Sequence, residues 1–483
     1  MDFWRPDNLR RITQGRWLAR AAEQQPQADL SGLSIDGRTL RPGQAFLALR
    51  GERFDGHDFL EQAAEAGAEL LIVDREPEHD RLRRIDRDVL LVADTQAALA
   101  LLAERYREQL SGKLIAVTGS VGKTTTCRLI DAVLSPRFTG TVSERSFNNQ
   151  IGVPLTLLGA SPTDAYVVVE MGTSAPGEIA ALARLVQPDI AVITRVGLAH
   201  LEGLGDRDAI LREKTSLLSY VREGGLGIVQ GDLPNLDACR KLCPNLITFG
   251  CDDACDLRLS RCEMQADQTR FTLNDRWSFV VPLPGEHNAV NALAAVAVGR
   301  HMQMSEVQIA EGLGAAQGPR MRLEVQTVGP RARPVTIIND AYNANPESME
   351  AALRVLEQWP SEGRRIALLG DMLELGGDAP DLHRRLGEAV AERALDGACF
   401  IGRLGLFAAE TLARHWDSSR FHALANWDEG QVLDMVRSHV AAGDTVLIKA
   451  SRASGLERLV PLIEQATASS SADRPPAADS PTA

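Results

Sequence analysis

An α/β fold divided among about three domains is the architecture this sequence predicts, and three observations carry that reading. The chain has 483 residues, too many for one ordinary domain and a length that suits about three. Near-continuous apolar runs, "LIAVTG", "AYVVVEMG" and "DIAVITRVG", alternate with helical stretches, as parallel strands covered on both faces do. Further along, "VTIINDAY", "RRIALLGDM", "CFIGR" and "TVLIKAS" begin a second such series, each followed by a helical segment.

These signals divide the chain. Residues 1–108 open with strand-like pieces around "QAFLALRG" and a helical "FLEQAAEAGA". Residues 109–317 carry the first α/β series and residues 318–465 the second. Residues 466–483, rich in Ser, Pro and Ala and without aromatics, have the composition of a disordered tail.

Composition narrows the function classes. With 44% hydrophobic and 24% charged residues, the chain is globular. A formal charge of -13 argues against a nucleic-acid partner, though a few local donors suffice for an anionic ligand. The charged N-terminus is no signal peptide, and no run of 18 apolar residues suggests a membrane span; the expected location is cytoplasmic. Seven cysteines suit reduced thiols. Five of them lie between Cys239 and Cys262 without C-x2-C pairs or a nearby histidine, so small apolar residues in strands and turns are favoured over a zinc site.

The most informative stretch is "AVTGSVGKTTT", Ala116 to Thr126. Lys113 to Thr118 reads as a strand, Gly119 to Lys123 as a turn, and Thr124 to Leu134 as an amphipathic helix. In that context Gly119, Ser120, Val121 and Gly122 bring backbone N–H groups to a phosphate, and the helix N-terminus adds partial positive charge. Lys123 then reaches the outer phosphates and Thr124, followed by Thr125, offers a hydroxyl to Mg²⁺.

Two further strands end on Glu170 and just before His200, at the strand ends where parallel sheets bind ligands. A carboxylate and an imidazole beside a triphosphate can hold a second divalent ion. Lys214 lies on the apolar helical face of Leu211, Leu217, Leu218 and Val221. That placement leaves two readings: a stem running to solvent from the edge of the stripe, or a buried neutral amine that reacts with CO₂ to give an anionic carbamate ligand. Beyond it, "NAN" and "PES" in "NDAYNANPESM" read as loop and helix start, which accounts for Asn345 but not for Asp340 and Tyr342 at the strand end.

The shortened loop T-G-S-V-G-K-T resembles that of the Mur ligases and folylpolyglutamate synthetases. Over about residues 30–460 the chain is similar to the Mur ligase family, through "GERFDGHDF", "NNQIGVPLTLL", "AHLEGLG", "PGEHNAVNALAA", "NDAYNANPESM", "LLGDMLELG" and "KASRASGLERLV". The resemblance implies an N-terminal UDP-sugar domain, a central P-loop-type ATPase domain and a Rossmann-like C-terminal domain. It implies ATP-dependent addition of D-alanyl-D-alanine to UDP-N-acetylmuramoyl-tripeptide through an acyl phosphate, with two Mg²⁺ ions and a monomeric enzyme. By the same resemblance, Lys123, His200, Lys214 and Arg320 are catalytic. Thr124 and Glu170 hold one metal, and His200 with carbamylated Lys214 the other. Asn288, Arg320 and Asp340 join the loop in binding ATP. Asp36, Arg38, Asn148, Asn149, Tyr342, Asn343, Asn345, Lys449 and Ser451 face the sugar nucleotide or the dipeptide. The chain departs from the family pattern at Gly37, Arg195 and Ala450. A related amino-acid ligase and an inactive nucleotide-binding scaffold are the alternatives; intact "YNANPESM" speaks against the first, and intact Lys123, Glu170, His200 and Lys214 against the second.

Overall fold

A computed structural model describes residues 3–20, 29–51, 54–144 and 147–469. Glu52 and Arg53 of "GERFDGHDF" and the expected disordered stretch from 470 onward lie outside the described residues.

Three sheets stack along the molecule. The first contains β1 (Arg16–Ala19), β2 (Leu33–Ser34), β3 (Ala45–Leu47), β4 (Leu70–Val73) and β5 (Asp88–Leu91), in the order β1-β5-β4-β3-β2. Only the β1–β5 pair is antiparallel. The second contains β6 (Lys113–Thr118), β7 (Gly140–Val142), β8 (Tyr166–Glu170), β9 (Ile190–Ile193), β10 (Leu226–Gln230), β11 (Leu246–Gly250), β12 (Leu257–Met264), β13 (Thr269–Leu273) and β14 (Trp277–Val281). Its order is β14-β13-β12-β11-β10-β9-β6-β8-β7, parallel from β7 to β12 and closed by an antiparallel β12–β13–β14 meander. The third contains β15 (Glu324–Val328), β16 (Val335–Asn339), β17 (Arg365–Gly370), β18 (Gly397–Ile401), β19 (Phe421–Leu424) and β20 (Thr445–Lys449), in the order β15-β16-β20-β17-β18-β19.

The apolar runs become the interior strands. β8, β9, β10 and β20 are buried along their whole length, because helices cover both faces of the parallel sheets. Chain order reverses at β6, which sits between β8 and β9. Such a switch point leaves a crevice outside the carboxyl ends of the strands, and the phosphate loop leaves β6 at that point.

Apolar clusters tie the units together. One runs from the first sheet through Leu99, Leu102 and Tyr106 to Val153, Leu157 and Ile179 beside the central sheet, and Tyr106 donates its hydroxyl proton to the Ala160 carbonyl at 2.8 Å. Another packs Leu201, Leu204 and Ile210 against Leu353, Met372 and Leu375 of the last unit.

Two local expectations change. The helix read as continuous through Val221 ends at Thr215 and tightens into a 3₁₀ turn over Ser216–Tyr220. The Thr215 and Ser216 hydroxyls donate back to the carbonyls of Leu211 and Glu213, an alternative to the helical ladder. The boundary set at 465 falls inside the last helix, Leu459–Ser469, in which Ala466 and Thr467 are buried.

Candidate functional site: a phosphate loop between two sheets

The phosphate loop has the conformation its glycines permit. Gly119 and Gly122 have φ of +150° and +91°, where a side chain is strained. A Cβ on Gly119 would fall 1.9 Å from Thr194 Oγ1, and one on Gly122 would fall 2.6 Å from Asn291 Oδ1. The loop is held from beneath by the residues after β9. Thr194 donates to the carbonyls of Thr118 and Val121 at 3.1 and 2.6 Å. The Arg195 carbonyl accepts from Ser120 N at 2.8 Å and Val121 N at 3.3 Å.

This arrangement corrects the expected role of Ser120 and Val121. Their amides are engaged by Arg195, so the donors left for a phosphate are those of the first turn of the helix Lys123–Leu134. At Arg195, where the chain departs from the family pattern, the backbone carbonyl does the holding while the side chain pairs with Asp232 at 3.3 Å. Lys123 curls onto the Gly119 carbonyl at 2.9 Å, and burial lowers its pKa.

Polar atoms left without partners surround the loop. Thr124 Oγ1, Glu170 Oε2 and Lys214 Nζ, three of the expected metal ligands, are each buried without a hydrogen bond, a state that costs about 1–3 kcal/mol per group. Their charges act on one another: Glu170 on Lys123, and both Lys123 and Glu170 on Lys214. His200 Nδ1 approaches Glu374 Oε2 of the third unit to 2.5 Å without hydrogen-bond geometry.

Lys214 decides between the two readings of its stripe: it is 1% exposed, so it does not reach solvent. Burial, reinforced by the Lys123 charge, pushes its pKa well below the usual lysine value. Its neighbour Glu213, which no sequence signal marked, anchors the helix by accepting from Gly177 N and Ile179 N, both at 2.7 Å. That contact also fixes the loop after β8, so the "TSAPGE" segment is tied down by Glu213 and by Glu178, which accepts from Ser174 N and Ala175 N.

The third sheet closes the crevice from the opposite side. Asp340 and Lys449 leave the adjacent ends of β16 and β20, and Lys449 Nζ donates to Asp340 Oδ2 at 2.5 Å and to the Asn343 carbonyl at 2.9 Å. Together with Asn288, Asn291, Arg322 and Ser120 they line one cavity against the phosphate loop. Asp340 and Lys449, expected to serve different substrates, therefore form one buried pair. Breaking such a pair from one side costs about 3–5 kcal/mol; Lys449→Met is expected to lower Tm sharply, and Asp340→Asn combined with it to recover part of the loss, both read by thermal denaturation.

Arg320 and Tyr342 line a second cavity that reaches Thr124. Arg322 borders both cavities and stacks over the Tyr342 ring at 4.3 Å; sequence reasoning passed over it, although it shares the string "GPRMRLEV" with Arg320.

Other expected substrate residues are turned to different tasks. Asn148 donates to Glu170 Oε1 at 2.8 Å, which puts it at a carboxylate expected to hold a metal. Asn149 braces the turn that leads into the helix Gly152–Gly159 by accepting from Ile151 N and Gly152 N. Asn345 caps the helix Pro346–Gln358 in a reciprocal pair with Ser348. Ser451 accepts from Leu373 N at 2.9 Å and is buried, so it braces a loop. Asn343 is exposed at the rim of the first cavity. Asp36 and Arg38 lie in the turn after β2 and pair with each other at 2.7 Å, the Arg38 side chain 89% exposed. A Cβ at Gly37 would meet nothing within 4 Å. Ala450 is buried with its methyl where a Cβ on Gly370 would collide at 2.7 Å, so the bare Gly370 makes room for it.

Fold and site together define an α/β nucleotide-binding enzyme whose phosphate loop is completed by a second, Rossmann-like domain. Family profiles match in three successive blocks: the Mur ligase family catalytic domain over residues 29–107, the Mur ligase middle domain over 117–299, and the Mur ligase glutamate ligase domain over 321–452. The UDP-N-acetylmuramoyl-tripeptide–D-alanyl-D-alanine ligase of Bacillus subtilis (strain 168) is 37% identical over 91% of this chain and 94% of its own length. A solved structure of MurF from Acinetobacter baumannii is 32% identical, with a TM-score of 0.83 over 96% of this chain and 99% of that one. MurF ligase from Thermotoga maritima, solved in complex with ADP, is 28% identical with a TM-score of 0.75 over 90% and 97%. The chain belongs to the Mur ligase family.

Proposed function

We propose that this chain is the ATP-dependent ligase that joins D-alanyl-D-alanine to UDP-N-acetylmuramoyl-tripeptide, forming an amide bond and the pentapeptide precursor of peptidoglycan. The substrate assignment rests on the D-alanyl-D-alanine ligases that match over nearly the whole chain. The observation that carries the chemistry is the set of three unpartnered buried atoms at the phosphate loop, Thr124 Oγ1, Glu170 Oε2 and Lys214 Nζ.

In this reading the tripeptide carboxylate attacks the terminal phosphorus of ATP and displaces ADP. The amine of the dipeptide then attacks the acyl phosphate and displaces phosphate. Lys123 neutralises charge on the transferring group, and Arg320, exposed in the cavity that reaches Thr124, supplies a second cation. Thr124 and Glu170 are suited to hold one Mg²⁺, with Asn148 orienting the carboxylate; His200 and Lys214 are suited to hold the other. Among the described residues no three His, Cys, Asp or Glu side chains converge on one point, so phosphate oxygens and a Lys214 carbamate would complete the ligand sets, and oxygen donors suit a hard cation. Bound magnesium would screen the phosphate charge during transfer. The carbamate forms when the neutral Lys214 amine adds to CO₂ and releases a proton to water.

Among the described residues no helix is long and apolar enough to cross a membrane. We read the enzyme as cytoplasmic and monomeric, a state that gel filtration at assay concentration checks. The decisive assay is phosphate release from ATP with UDP-N-acetylmuramoyl-tripeptide and D-alanyl-D-alanine, omitting each in turn. Release that needs both, with pentapeptide detected by mass, upholds the reading. Bound ATP without product, for tripeptides carrying either diaminopimelate or lysine, overturns it in favour of a nucleotide-binding scaffold.

A further inference from the structure

Residues 195–202, between β9 and the short helix Leu201–Leu204, touch both sides of the crevice. On the central side, the Arg195 carbonyl holds Ser120 N and Val121 N, and the Gly197 carbonyl accepts from Ser120 Oγ at 2.9 Å. On the other side, Leu198 N donates to Glu347 Oε1 at 2.8 Å, and Glu202 N donates to the Glu374 carbonyl at 3.3 Å. Both glutamates belong to the third unit. Gly197 is bare where they meet: a Cβ there would fall 2.4 Å from Glu347 Cδ. The second oxygen, Glu347 Oε2, is buried without a partner.

We infer that Glu347 is a positioning residue: from the C-terminal domain it clamps the 195–198 segment, and through it the phosphate loop, so that nucleotide binds tightly only when that domain is docked. Glu374 supports the far end of the same segment. The contact lies at the first turn of the helix Pro346–Gln358, so its presence reports the seating of the domain that also supplies Asp340 and Lys449. This inference goes beyond the ligase reading and rests on it for the identity of the nucleotide.

The test compares wild type with Glu347→Ala, Glu347→Gln, Gly197→Ala and the Gly197→Ala/Glu347→Ala double variant. Each is measured for affinity toward a fluorescent ADP analogue, for KM of ATP and of both peptide substrates, and for Tm. E347A is expected to weaken the analogue and raise KM for ATP about tenfold, the size of one lost charge-assisted hydrogen bond, while KM for the dipeptide moves less. E347Q, whose amide oxygen still accepts from Leu198, recovers most of that loss. G197A weakens nucleotide binding by displacing Glu347, and adding E347A makes it no worse than E347A alone. Wild-type nucleotide affinity in E347A, or in G197A should E347A fail to fold, overturns the inference. Because the analogue reports binding without turnover, failure of the wild type to make pentapeptide sinks the ligase reading and leaves this test standing.

Discussion

Lys214→Ala is expected to reduce ligation about a thousandfold, the upper range for losing one group that stabilises transition-state charge, a loss far larger than the drop in Tm from the vacated volume accounts for. In the folded chain Lys214 is 1% exposed and its Nζ has no hydrogen-bond partner, an arrangement that costs about 1–3 kcal/mol. A group kept for stability would not be left so; Lys214→Met, which fills the same volume without a polar atom, should therefore leave Tm unchanged or raise it while activity is lost. If the working group is the carbamate, a short carboxylate such as propionate should restore part of the activity to K214A by entering the space the stem vacates. Protein equilibrated with ¹³C-bicarbonate should show a carbamate resonance that K214A lacks. A K214A enzyme with normal turnover, or one that loses activity only in proportion to a lowered Tm, refutes the assignment.

The second large effect belongs to the phosphate loop. Gly119→Ala is expected to weaken ATP binding by at least about a hundredfold, measured by calorimetry with a non-hydrolysable analogue. Backbone strain alone, at φ +150°, costs about 1–3 kcal/mol. The larger effect comes from the new methyl 1.9 Å from Thr194 Oγ1, because that hydroxyl holds the Thr118 and Val121 carbonyls. Displacing it unfastens the loop from β9. Gly224→Ala separates the two causes: φ is +74° there, but nothing lies within 4 Å of the added carbon. It should cost stability and leave ATP affinity alone; equal loss of affinity in both variants would mean that the Thr194 contact is irrelevant.

Much of this site was legible because its signals are local. An apolar strand followed by G-S-V-G-K-T-T states its own geometry, and Glu170 is marked by ending its strand, whereas His200 stands seven residues beyond the end of β9. The apolar pattern places Lys214 on the face of Leu211 but leaves open whether its amine reaches solvent, and the helix carrying it stops at Thr215. Asn345 is equally legible, since N-A-N-P-E-S reads as loop and helix start, and it caps that helix.

What stayed hidden depends on contacts far apart in the chain. Glu347 meets Leu198 across 149 positions, and Lys449 meets Asp340 across 109; no periodicity or spacing encodes such partners. The carbonyl of Arg195 is likewise invisible, because a backbone atom can do the holding whatever side chain stands above it. By itself, then, the sequence determined the strands, the phosphate loop and the apolar stripe beside Lys214, since backbone propensity and hydrophobic period act within a few residues. The tertiary structure alone decided which polar groups are satisfied and which are left open around that loop, because that outcome depends on how three sheets pack and which strand ends they bring together.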